Sequence, residues 1–107
     1  MQTSTATLAA LHSPHALSVF TDRLARYLRL PVDAHAFIVS IPGAGRVLVR
    51  QTGRSLTVTV VAVDETGLAT SMGAVMSELE QGFGRSDFRR SMSVAWQRRD
   101  VVPAELR

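Results

Sequence analysis

Three short runs rich in β-branched residues, joined by two glycine-containing links, constrain this chain more than any other feature. FIVSI occupies 37–41, RVLVRQ occupies 46–51 and SLTVTVVAV occupies 55–63, with PGAG and TGR between them. Alternation puts Phe37, Val39 and Ile41 on one side of the first run. It aligns Val47 and Val49 of the second with Leu56, Val58, Val60 and Ala62 of the third. Period-two patterning with links this short predicts an antiparallel meander.

The flanks are read around that meander. ALSVFT at 16–21 alternates and predicts a short first strand, after which Thr21 reads as the N-cap of a helix DRLARYLRL. Pro31 ends that helix near Leu30. After the meander, Asp64 reads as the cap of a long helix with Leu68, Met72, Val75, Met76, Leu79 and Phe83 in one apolar stripe, ended by Gly82 or Gly84. Met92, Val94 and Trp96 alternate with Ser93, Ala95 and Gln97, which predicts a last half-buried strand. Residues 1–14 are rich in Thr, Ser and Ala and read as an N-terminal tail with room for one helical turn at 8–11. Residues 15–100 form a single α+β domain, and 101–107 (VVPAELR) a C-terminal tail or capping turn. The predicted order is β-α-β-β-β-α-β. Each helix has one apolar stripe and the sheet one apolar face, so the expected fold is a two-layer sandwich with both helices on one face of a mostly antiparallel sheet.

Composition narrows the chemistry. At 107 residues and 46% apolar, the chain is one domain with material for a core. The absence of cysteine excludes disulfides, thiolate catalysis and cysteine-ligated metals. All twelve basic residues are arginine and the net charge is only +3, less than a dedicated nucleic-acid binder concentrates on one face. No apolar run approaches the roughly 20 residues needed to cross a bilayer. Met1 to Ala10 has no basic start or long apolar middle, so it does not read as a signal peptide. The expected location is the cytoplasm.

No stretch carries a catalytic or cofactor signature. His12 and His15 have a metal-ligand spacing, but Pro14 stands between them and no third ligand is evident, so no metal site is expected. PGAG is too short for a phosphate loop and does not lead into a helix. Asp33 and Glu78 would matter to an enzyme only if they met in one cleft. No cofactor is expected, and an enzyme is the less favoured class.

Two features point to contact with a partner. The outward sheet face should mix Ile38, Leu48, Val61 and Val63 with Arg46, Arg50, Thr57 and Thr59, whereas a bare face should be mostly polar. Ala69, Gly73 and Ser77 recur at every fourth position of the long helix and would let another backbone approach, either the first helix or a second copy. Arg89-Arg90 and Arg98-Arg99 bracket the last strand. They are too far apart for one clamp, and Asp87 and Asp100 offer local counter-charges. The middle strands offer no outward aromatic for stacking bases.

TDRLARYL at 21–28, Gly45-Arg46 opening a strand, the LATSMGAVMSELEQGF helix and FRR followed by MSVAW at 88–96 together resemble a small bacterial domain family of unknown function. That family is sometimes linked with siderophore-interacting flavin reductases. The middle hairpin here reads RVLVRQTGRSL and lacks the phenylalanine-glycine-cysteine signature usual in the family. The resemblance implies a fold and an association with ferric-siderophore handling, with arginines drawing an anionic ligand. The resulting expectation is a non-enzymatic binding or protein-interaction module, homodimeric through Arg46, Leu48, Arg50, Val61 and Gly73. The alternatives are an accessory role in siderophore handling and weak nucleic-acid binding through dispersed arginines.

Overall fold

The computed structural model describes residues 1–83 and 85–107, with the side chains of residues 85–87 outside the description. The α+β two-layer architecture is as the sequence predicts. The elements are β1 (Gln2–Ala10), α1 (His15–Leu24), β2 (Arg29–Asp33), β3 (Ala36–Ile41), β4 (Gly45–Thr52), β5 (Ser55–Ala62), α2 (Glu65–Phe83), α3 (Arg85–Ser91) and β6 (Met92–Arg99). A 3-10 turn, Ala104–Leu106, follows. The sheet runs β2-β3-β4-β5-β1-β6, and every neighbouring pair is antiparallel.

The meander forms as read. Gly43 and Gly45 take φ of 88° and 72° in the first link, and Gly53 takes 60° in the second. Gly53-Arg54 is a two-residue hairpin loop with glycine leading, since Thr52 pairs with Ser55. Asp64 caps α2 through its carboxylate, which accepts from Gly67 N–H at 2.8 Å. Leu68, Val75 and Leu79 are buried, with Met72, Met76 and Phe83 packed beside them. α2 continues through Gly82 to Phe83. Gly84, the other expected end, lies outside the described residues.

Three expectations are corrected. The N-terminal segment is no tail: β1 lies inside the sheet, between β5 and β6. Ala6 faces Val58 on one side and Trp96 on the other, so a small side chain sits between two larger ones. Residues 16–21 are helical, not extended. Ala16, Leu17, Phe20 and Leu24 fall on the buried side of α1, and the Thr21 hydroxyl donates back to Leu17 and Ser18 carbonyls in mid-helix instead of capping. Finally, α1 ends at Leu24, and Pro31 belongs to edge strand β2.

α1 and α2 cover one face, resting on β1 and β5. The core between the layers includes Leu8, Phe20, Val39, Val47, Val58, Val60 and Leu79. On the opposite face, Leu106 packs against a buried cluster of Ala36, Ile38 and Leu48. Between the end of β6 and β4, the C-terminal residues must cross β1 and β5, where Thr3, Thr5 and Thr59 are buried. Thr5 and Thr59 hydroxyls satisfy each other at 3.0 Å. The chain thus covers part of its own outer face with its last residues.

Candidate functional site

The helices do not cover the whole inner face. α1 leaves a groove along its flank, bounded by the β2–β3 hairpin at one end and the β4–β5 turn at the other. Two adjoining hollows make it up, of about 580 Å³ and 620 Å³. Thr21 and Gln51 line both, so the two adjoin there. Phe37, Val49, Leu56 and Leu17 supply apolar walls. The alternation of β3, β4 and β5 turns the first three toward the helix side, and the helical period of α1 does the same for Leu17.

The rim is basic. The Arg29 guanidinium lies 4.9 Å from the centre of the Phe37 ring, a cation–π contact that keeps the charge at the mouth of the first hollow. Arg54 stands at the second, beside Gly53 and His12. Among the described residues neither Arg29 nor Arg54 has an ion-pair partner. Asp33 is the acid on the same rim. His35 N–H donates to its Oδ1 at 2.8 Å and Arg50 to its Oδ2 at 3.0 Å. These two contacts, the backbone one first, hold the Asp33 carboxyl below its ordinary pKa. The acid is therefore already neutralised by Arg50, and the groove presents Arg29 and Arg54 to whatever enters.

A second polar cluster ties the helices together. Arg23 Nε donates to Glu78 Oε2 at 3.0 Å and Tyr27 Oη to Glu78 Oε1 at 2.6 Å. Glu78 is buried between α1 and α2. The hydrogen bond to the carboxylate favours the neutral phenol and raises the Tyr27 pKa above 10.0, with desolvation and the Glu78 charge adding to the effect. The two acids that would have had to meet are thus separately engaged, Asp33 by Arg50 and Glu78 by Arg23 and Tyr27.

The five residues expected at an interface are divided. Arg46, Leu48 and Arg50 share the outer face of β4, and Val61 lies on the outer face of β5 two residues beyond Thr59, the partner of Leu48. Leu48 is only 5% exposed beneath Leu106, so the centre of that expected surface is occupied by the chain itself. Arg46 is exposed and Val61 half-buried. Gly73 sits on α2, in the other layer. Ala69, Gly73 and Ser77 are all exposed, and nothing lies within 4 Å of a Cβ built on Gly73. That ridge is not the seat of α1, which meets α2 at Gly82 through Val19 and Arg23.

Arg98 pairs with an acid far away in sequence instead of a neighbouring one. It grips Glu65 at the start of α2, with one contact at 2.8 Å, and also reaches Gln2. The Asp87 side chain, an expected counter-charge, lies outside the described residues. His12, His15 and His35 are exposed, and no group of three potential metal ligands occurs among the described residues. No described helix is long and apolar enough to cross a membrane.

Sequence reasoning missed the groove because its walls come from four separated segments. Its one signal in the sequence is Phe37, an aromatic at the start of a strand, beside a segment whose local pattern reads as a helix end. No family model matches the chain, and no curated protein or solved structure matches it either.

Proposed function

We propose that the protein is a non-enzymatic binding module and that the groove beside α1 receives a small amphipathic anion. The observation that carries this reading is the pairing of apolar walls with two arginines that have no ion-pair partner among the described residues, while the rim acid is held by Arg50. Each hollow is within the usual range for a small-molecule site, roughly 300–1,000 Å³. Apolar burial supplies attraction, and a carboxylate or similar anion takes up the fork of Arg29 or Arg54. A negatively charged ferric siderophore belongs to this ligand class. The homodimer expected through the outer sheet face does not enter this reading, because Leu106 occupies that face at Leu48.

Three of the twelve arginines are not free for nucleic acid. Arg23, Arg50 and Arg98 are each committed to an acid, on different parts of the molecule.

A thermal-shift comparison tests the proposal. A ten-carbon carboxylate should raise the melting temperature, and the matching alcohol should do so much less. The paired change Arg29→Glu and Arg54→Glu should abolish the preference for the carboxylate without unfolding the protein. An anionic ferric tris-catecholate complex is tested alongside. Absence of any shift with either anion, or an equal shift in the double variant, would remove the basis for the reading.

A further inference from the structure

β6 is an edge strand. β1 pairs with it in unbroken register from Thr3↔Arg99 to Ala10↔Met92, and no described strand lies on its other side. The pairing fixes where its backbone groups point. Leu11 N–H donates to the Ser91 carbonyl at 2.9 Å, and Ser4 Oγ donates to the Gln97 carbonyl. Odd-numbered residues of this strand therefore turn their polar groups to β1. Val94, Trp96 and Arg98 turn N–H and C=O to the open side.

The opposite edge of the sheet is blunted. Ser40 N–H donates to the Leu28 carbonyl, so the backbone groups of Arg29 and Pro31 face outward, and Pro31 has no N–H to offer. β2 also carries a register shift between Pro31 and Asp33. β6 has neither proline nor bulge over its eight residues, roughly 26 Å of strand.

Charge brackets the open edge. Arg89 and Arg90 are exposed at the end of α3, and Arg99 is exposed at the far end of β6. Among the described residues none of the three has an ion-pair partner. Between them, Val94 and Trp96 are half-buried on the helix side and present an apolar shelf. A second copy fits poorly. Antiparallel pairing of two β6 edges would bring Arg98 and Arg99 of one molecule to Arg89 and Arg90 of the other, like charge against like.

We infer that the β6 edge takes an extended peptide as a seventh strand, with acidic residues flanking a short apolar, β-branched middle. Backbone hydrogen bonds to Val94, Trp96 and Arg98 supply the pairing, and the flanking arginines select the charge. This site is separate from the groove and does not depend on it.

Trp96 is the only tryptophan and lies on the strand itself, so its emission reports occupancy. The probe is a synthetic peptide of alternating valine and threonine with two aspartates at each end, added to the full chain. It should shift Trp96 emission, and a lysine-flanked version should bind at least about tenfold more weakly. The triple change Arg89→Glu, Arg90→Glu, Arg99→Glu should reverse that order. Methylating alternate backbone nitrogens of the peptide should eliminate binding, as should Val94→Pro, which removes an outward N–H and leaves the β1 ladder intact. No emission change with the aspartate-flanked peptide would overturn the inference. So would binding indifferent to N-methylation or to flank charge. A stable dimer in light scattering that Val94→Pro dissolves would assign the edge to a second copy instead.

Discussion

Glu78 shows how one buried charge organises the contact between the helices. Burying a carboxylate is costly unless its oxygens are satisfied. Here Arg23 serves one oxygen and Tyr27 the other. Tyr27→Phe should therefore lower the melting temperature at neutral pH. The sign of its pH dependence is fixed by the raised Tyr27 pKa. The contribution is fully present below 10.0 and is lost as pH rises through the folded-state value. The melting curves of wild type and variant should converge on the alkaline side. The acid limb has the opposite sign. The Asp33 pKa is lowered by His35 N–H and Arg50, and the Glu65 pKa by its hydrogen bonds from Arg98. Both contributions are present above the ordinary carboxylate range and disappear as pH falls through the lowered values. Combining Asp33→Asn with Glu65→Gln should flatten the acid side of a stability–pH profile measured by chemical denaturation.

At the scale of elements, β1 decides the architecture. Its inward residues Ser4, Ala6 and Leu8 are buried, while Thr7 is exposed on the other face. Leu8→Ala should cost about 3 kcal/mol in urea denaturation, whereas its neighbour Thr7→Ala should stay within about 0.5 kcal/mol. Equal effects at the two positions would mean that the strand is not half-buried in this register. The meander and α2 were legible because β-branched alternation and a wide apolar stripe are strong local signals. TSTATL carried the same period, but Ala6 and the threonines are too small or polar to announce a central strand. Its burial depends on Val58 and Trp96, far away in sequence. ALSVFT misled in the other direction. Leu17 and Val19 suit period two, whereas Leu17, Phe20 and Leu24 suit the helix that tertiary packing selects. The C-terminal VVPAELR gave no local hint that Leu106 would cover Leu48. Deleting residues 101–107 should expose Ile38 and Leu48, raise binding of a hydrophobic dye and promote self-association in light scattering.

At the scale of the whole molecule, the two ends of the chain determine which surfaces are open. The first strand fills the middle of the sheet, and the last residues cover part of its back. The groove on the helix side and the edge of β6 stay open. The groove depends on the first strand directly. Ala10 at the end of β1 and His12 just after it line the hollow that Gly53 and Arg54 close. If residues 2–10 left the sheet, that wall would not exist. Hydrogen exchange read residue by residue tests this most directly. β1 has a partner strand on both sides, so the amides of Ser4 to Leu8 should exchange as slowly as those of Val58 to Val60 in β5. Exchange of Ser4 to Leu8 within the dead time of the measurement, while β5 stays protected, would contradict the account.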